Sequence, residues 1–178
     1  MTKVGELMIP ASEYVTVSRE ATLREVFLAL AARRGDPGRS HRDVLVTDPD
    51  GLVVGKITMR DVFMALEPNY KNLVNGAAAH DTLTREYVAG VFRDFGLWPE
   101  PLADVCKRGA DMSAAEVMHE PLIGEFVDAD DDLEKAVHRY VVGVHQPMLV
   151  RDNGRVVGVL RFGDLFEEVS RRMLACGA

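Results

Sequence analysis

The sequence predicts an α+β fold: two tandem copies of one strand, helix, hairpin, helix unit packed face to face, with a helical insert between them. Three observations predict it. The chain echoes itself, because Gly5-Glu6-Leu7-Met8 returns as Ala115-Glu116-Val117-Met118, and the same offset of 110 pairs Val17 with Val127 and Leu23 with Leu133. Each copy carries a helix with one apolar stripe, and each carries a hairpin with a glycine-bearing turn. Repetition is weighed first because it decides the architecture into which every other element must fit.

The elements follow in order. Val15-Thr16-Val17 reads as a short strand. Thr22 with Glu25 three residues later is a capping box, and Leu23, Val26, Phe27 and Leu30 then fall at i, i+3, i+4 and i+7 of a helix. Val44-Leu45-Val46 and Val53-Val54 flank the turn Asp48-Pro49-Asp50-Gly51. Asp-Gly and Asn-Gly between β-branched runs signal hairpins because such turns need positive φ. The second strand runs into a helix over Met59–Leu66. In the second copy Asp132 precedes the stripe Leu133, Ala136, Val137 and Tyr140; Met148-Leu149-Val150 and Val156-Val157 flank Asp152-Asn153-Gly154; and a helix spans Phe162–Met173. Gly51, Gly55 and Asp61 match Gly154, Gly158 and Asp164 at an offset of 103, with seven residues lost before the hairpin and in its turn.

Residues 1–66 and 112–178 are thus the two copies, and 67–111 is the insert. Within it, a helix from Thr84 to Phe95 aligns Val88, Val91, Phe92 and Phe95 on one face, and Trp98 follows. Pro99 and Pro101 end that helix, and Pro101 to Lys107 forms another short one. These aromatics suit packing on the repeats or on a partner subunit.

Composition narrows the function. With 178 residues, 47% of them apolar and 28% charged, the chain builds an ordinary core without staples. Its 21 basic and 28 acidic residues give a net charge of −7, which argues against nucleic acid as a partner, since that affinity rests on Lys and Arg. No run approaches the roughly 20 apolar residues of a membrane helix, and Met1 to Pro10 lacks the apolar stretch of a signal peptide. Cys106 and Cys176 form no CxxC pair and fit a reducing compartment, so a cytoplasmic location is expected. Cys106, beside Lys107 and Arg108, reads as structural.

Other sites read plainly. Asp128, Asp130, Asp131, Asp132 and Glu134 fail as a calcium loop, because Leu133 and Arg139 stand where Gly and Glu are needed; they suit a helix start. His41, His80, His119, His138 and His145 show no HxH or HExxH spacing, so no metal is expected. No GxSxG, P-loop or GxGxxG occurs. Arg33 to Arg42 is basic and turn-rich and reads first as a solvated loop, with phosphate contact near the cleft as the second reading.

The segment that bears chemistry is Gly55-Lys56-Ile57-Thr58-Met59-Arg60-Asp61, where a strand ends and a helix begins. Backbone N–H groups at such a junction favour an anion, the Thr58 hydroxyl adds a donor, and Asp61 accepts hydrogen bonds from a vicinal diol. Phosphate beside diol describes a nucleotide. The same residues equally describe a helix capped by Thr58 with Asp61 in its first turn, and at this point both readings stand.

The ordered series resembles the CBS domain family, in which paired repeats form a module. The marks are the Glu6-Leu7-Met8 opening, the Val15-Thr16-Val17 strand, the helix capped at Thr22, and the hairpin closing in Gly-x-x-Thr-x-Arg-Asp. The resemblance covers about residues 3–66 and 112–172. It implies pseudo-two-fold packing with two clefts for an adenosine ligand: AMP, ADP, ATP or S-adenosylmethionine, bound as a regulatory ligand and not as an obligatory cofactor. Carried over, it implies phosphate and ribose contacts at Thr58 and Asp61, with Arg60 as a phosphate partner and Val15, Thr16, Val44 and Leu45 as the adenine lining. In the second cleft it implies Val127, Pro147, Arg161 and Asp164. There the motif departs: Arg161 replaces Thr and Gly163 replaces Arg, so the first cleft is expected to be the better site. Arg161 meets a phosphate, fills the cleft or pairs with a carboxylate.

The expected function is allosteric, with ligand shifting the repeats and a protein partner or a second copy of the chain reading the shift. A homodimer is expected through the helices after each closing motif, because they are rich in large apolar residues, Val62, Phe63, Leu66, Leu165, Phe166 and Val169, of which one repeat's sheet covers a single face; cover by the insert within one chain would instead leave a monomer. The alternative is an interaction module with empty clefts. An enzyme built on the carboxylate clusters ranks last.

Overall fold

The computed structural model describes residues 2–35, 41–70, 85–143 and 147–175. His80, Thr84, His145, Cys176 and positions 36–40 of the basic loop lie outside the described residues.

Two sheets form the centre. In the first, β2 (Thr16–Ser18) runs parallel to β3 (Val44–Thr47), and β3 pairs antiparallel with β4 (Val53–Ile57). In the second, β5 (Phe126–Asp128) runs parallel to β6 (Met148–Asp152), and β6 pairs antiparallel with β7 (Arg155–Leu160). Both hairpin turns form as the sequence predicts: Gly51 has φ +79°, and Asn153 and Gly154 have φ +48° and +79°. In the first turn the Asp48 carboxylate also accepts from the Leu52 N–H at 2.8 Å.

Helices cover one face of each sheet. After β2 and before β3 comes α2 (Leu23–Ala32), and α3 (Met59–Leu66) follows β4; α7 (Leu133–Val141) and α8 (Phe162–Ala175) hold the same places in the second copy. The Thr22–Glu25 box closes as expected, with the Thr22 N–H donating to Glu25 at 2.6 Å. The predicted stripes bury Leu23 and Val26 in one copy and Leu133, Ala136 and Tyr140 in the other, whereas Phe27 is 47% exposed. Phe27 instead lines the groove between α2 and α3.

The opening segments cross over. Helix α1 (Val4–Leu7) buries Val4 in the core of the second copy, and β1 (Ile9–Pro10) joins β7 with Ile9 opposite Val159. Helix α6 (Ala114–Val117) buries Ala114 and Val117 in the first core, and His119 bridges Lys56 on β4. The N–H groups of Val4 and Gly5 donate to Asp131 and Ala129 at 2.9 Å, and those of Ala114 and Ala115 donate to Ala21 and Arg19 at 2.7 and 2.8 Å. Each short helix therefore has its first orphan donors satisfied by the opposite repeat.

Strand alternation then separates three cores. Val44 and Val46 face their own helices, as do Met148 and Val150 in the second copy; Leu45 and Leu149 turn the other way and meet with Tyr14 and Val159 between the sheets. The insert contributes α4 (Arg85–Asp94) and α5 (Leu102–Gly109). Val105 and Trp98 pack on the first core, and Leu66 lies directly over Gly109, so α5 approaches α3 at a position that holds no side chain. Trp98 is further held by its N–H to Glu67 at 2.6 Å and its indole N–H to Tyr70 at 3.0 Å. Val88 and Phe92 of α4, and Phe95 just after it, remain exposed.

Candidate functional site

The closing motif of the first copy folds into a strand–helix junction that both repeats share. Thr58 is the N-cap of α3 in extended backbone, and Asp61 completes the capping box: Asp61 Oδ2 accepts from the Thr58 N–H at 2.7 Å and from its hydroxyl at 2.6 Å. From the second copy His119 Nδ1 lies 2.8 Å from the same oxygen. His119 Nε2 lies 3.2 Å from Glu125 Oε1, which in turn pairs with Lys56 Nζ at 2.8 Å. Lys56 also donates to the Pro147 carbonyl at 2.6 Å. A continuous chain of polar groups thus runs from Thr58 through Asp61, His119 and Glu125 to Lys56, crossing between repeats.

Its innermost pair is withdrawn from water: the Lys56 side chain is 0% exposed and that of Glu125 is 4% exposed. Burial pushes the Lys56 ammonium below its ordinary value, against the opposing pull of Glu125. Burial raises Glu125 and Asp61, but the bonds from Lys56 to Glu125 and from His119 and Thr58 to Asp61 outweigh it, and both carboxyls end below their ordinary range. Burial lowers His119, yet Asp61 and Glu125 together leave it raised.

The second junction is built differently. Arg161 donates from Nε and Nη2 to the two oxygens of Asp164, each at 2.6 Å, so among the outcomes open for this arginine the carboxylate pair is the one formed. The first copy supplies the facing groups. The Tyr14 hydroxyl bonds Asp43, the Tyr14 ring stacks on His41 with centroids 3.9 Å apart, and His41 Nε2 accepts from the Val15 N–H at 3.3 Å. Burial raises both Tyr14 and Asp43.

The remaining sequence-derived positions divide. Val15 is buried, Thr16 is exposed, and neighbouring Val44 and Leu45 point to opposite faces of β3. Val127 is wholly buried in the second core, Pro147 takes part through its carbonyl, and Arg60 is exposed on the first turn of α3. Among the described residues no group of His, Cys, Asp and Glu is arranged to hold a metal ion, and no helix is long and apolar enough to cross a membrane.

Sequence reasoning passed over Lys56, His119 and Glu125, although a signal existed. Aligned by the repeat, these three stand against Val159, Ile9 and Val15. A titratable residue in one copy where the other copy holds an aliphatic one marks a polar site inside the fold.

Comparisons with known proteins agree with this architecture. A family model described as CBS domain matches residues 4–68 and 114–171. The CBS-pair protein CBSX2 from Arabidopsis thaliana is similar over 96% of each chain, with a TM-score of 0.62 and 16% identity. A structure of CBSX2 in complex with AMP matches over 97% of this chain and 99% of that one, with a TM-score of 0.60 and 16% identity. A CBS-domain containing protein from Agrobacterium tumefaciens matches over 93% and 92%, with a TM-score of 0.56 and 19% identity. No curated protein matches the chain.

Proposed function

The chain belongs to the CBS domain family, and we propose that it is a regulatory module that binds an adenosine-containing ligand, AMP, ADP, ATP or S-adenosylmethionine, in its first cleft. The observation that carries this reading is Asp61, a carboxylate at a strand–helix junction of one repeat that is touched across the cleft by His119 of the other. A ribose diol donating to Asp61 competes with His119 for the same oxygen, and the α3 N-terminus beside Thr58 accommodates phosphate. Exchanging an inter-repeat bond for a ligand bond gives the ligand unequal affinity for two repeat arrangements, which is what an allosteric shift requires. The AMP complex of CBSX2, a protein of the same fold, supports the ligand class. Arg60 on the first turn of α3 completes this proposed site, and of the expected adenine lining Val44 and Leu45 cannot serve together, because they are buried on opposite faces of β3. In the second cleft Asp164 is already engaged by Arg161, which ranks that cleft lower; of the residues expected there, Pro147 instead meets Lys56 at the first junction and Val127 is buried in the second core. The module signals to a protein partner or a second copy in the cytoplasm and carries out no chemistry itself.

A nucleotide-panel thermal shift tests the reading. At a hundredfold excess over Kd a ligand adds about 2.7 kcal/mol, roughly 5–11 °C in melting temperature for this chain length. A flat response to the whole panel, on protein verified as ligand-free, overturns it.

A second reading is a dimerisation module with empty clefts. Asp61 and Asp164 already have protein partners, while Phe63 on α3 and Phe166 on α8 are 54% and 64% exposed. Light scattering tests the homodimer: twice the 19.7 kDa chain mass supports it, and a single chain mass refutes it.

A further inference from the structure

The second junction is furnished from within, by side chains that make a nucleoside's contacts. The two oxygens of Asp164 accept from Arg161 Nε and Nη2, each at 2.6 Å, which is the pair of donors a vicinal diol offers a carboxylate. From the first copy, the His41 imidazole lies flat on the buried Tyr14 ring, with centroids 3.9 Å apart and planes 13° from parallel. Its Nε2 accepts from the Val15 N–H at 3.3 Å. A purine makes the same two contacts, stacking on an aromatic face and accepting a donor at a ring nitrogen. Tyr14 and Asp43, bonded to each other, both lie within electrostatic reach of Arg161, so the two sets of contacts share one cleft. The first junction is not furnished this way. Aligned by the repeat, Gly124 stands at the place of Tyr14 and Thr58 at that of Arg161, so the stacking face and the guanidinium are both missing there.

We propose that His41 and Arg161 serve as a built-in nucleoside in the second cleft, the imidazole in place of the base and the guanidinium in place of the ribose diol, so that the module takes one nucleotide per chain. The proposal rests on the nucleotide reading for its ligand class. A tethered group competes at an effective concentration on the order of millimolar, which excludes a nucleotide of micromolar affinity. Arg161 and Asp164 belong to the second copy, and Tyr14, Val15 and His41 to the first, so the internal occupant also ties the repeats together as a bound ligand would. The chain then fixes the arrangement at the second cleft by itself and leaves the first cleft as the responsive one.

Calorimetry of the full chain with AMP, ADP, ATP and S-adenosylmethionine in turn tests it, on the parent and on His41→Ala with Arg161→Thr. The double variant restores the Thr-x-x-Asp spacing that closes as a capping box in the first copy, so α8 keeps its N-cap. One nucleotide per chain is expected for the parent and two for the double variant, and adding Asp164→Ala should return the count to one. Two nucleotides on the parent overturn the proposal, and so does a double variant that stays at one, which leaves the first-cleft reading intact. A parent that binds none, with a double variant that binds one and loses it on Asp164→Ala, sinks the first-cleft reading and supports this one. Binding to neither overturns both. Nuclear magnetic resonance of the ligand-free parent supplies a readout that depends on no ligand and no variant: cross-relaxation between the His41 and Tyr14 rings is expected, and its absence overturns the proposal.

Discussion

Replacing Lys56 by Met removes the cation from the most deeply buried ion pair while keeping the length and most of the volume of the side chain. In the parent, Lys56 Nζ serves Glu125 at 2.8 Å and the Pro147 carbonyl at 2.6 Å, with both members of the pair shielded from water. The variant leaves a buried carboxylate without its ammonium and a buried carbonyl without its donor. Breaking such a pair from one side costs about 3–5 kcal/mol. Glu125 keeps the Leu122 N–H at 2.7 Å and His119 at 3.2 Å, which places the loss at the lower end. A loss of about 3 kcal/mol corresponds to roughly 6–12 °C in melting temperature for a chain of this length. Lys56→Met with Glu125→Leu removes both charges together, and the second copy shows that aliphatic residues suit these positions, since Val159 and Val15 occupy the repeat-related places and are buried. The double variant should therefore recover most of the loss. Urea unfolding monitored by circular dichroism, run on the parent, both single variants and the double, provides the cycle. A single variant within about 1 kcal/mol of the parent, or a double variant whose loss equals the sum of the singles, refutes the reasoning.

Three further outcomes follow from the same geometry. His119 is raised above its ordinary value, so its contribution is complete below about pH 6.5 and is lost as pH climbs through the folded value; Asp61 and Glu125 are lowered, so theirs is lost only as pH falls well below about 4. The melting-temperature gap between the parent and His119→Gln should accordingly plateau between those limits and shrink on the alkaline side, and a gap that widens with pH contradicts this. Asp61→Ala should weaken nucleotide about ten- to a hundredfold, more than Asp164→Ala does, because Arg161 already occupies the second carboxylate; equal calorimetric losses reverse the ranking. Gly158→Ala should destabilise more than Gly55→Ala in thermal unfolding. A Cβ at Gly158 meets the Ile9 carbonyl oxygen at 2.7 Å, whereas at Gly55 its nearest neighbour is the Met118 side chain, which has freedom to move, with the His119 carbonyl at 3.2 Å.

What was legible in the sequence is what short-range chemistry dictates. The Thr22–Glu25 box, the glycine turns at Gly51 and Gly154, and the start of α3 each depend on residues within a few positions of one another, and each forms as read, while the closure of a box between Thr58 and Asp61 was not read. The crossing of the opening segments was not legible. The motif containing Met8 and its echo containing Met118 were evident as repeats, but nothing local says that Met8 packs over Gly158 and Met118 over Gly55, on the opposite copy in each case. Such pairing is decided by which sheet edge is open once both cores have formed, a property of the whole chain.

The site was half legible for a related reason. Thr58 and Asp61 stand out because they close a local motif, while Lys56 lies inside that same motif and Glu125 and His119 lie more than fifty residues away. A lysine in a strand ordinarily reads as a solvent-facing residue, and only a partner brought in by tertiary structure makes it a buried one. The two copies nevertheless hold the information as a difference: Lys56 against Val159, Glu125 against Val15, His119 against Ile9. If a charge at one such position alone were buried, the desolvation penalty would stand uncompensated. The three departures fall on the same side of the pseudo-symmetry and meet within 3.2 Å. They therefore act as one unit, which breaks the equivalence of the two strand–helix junctions.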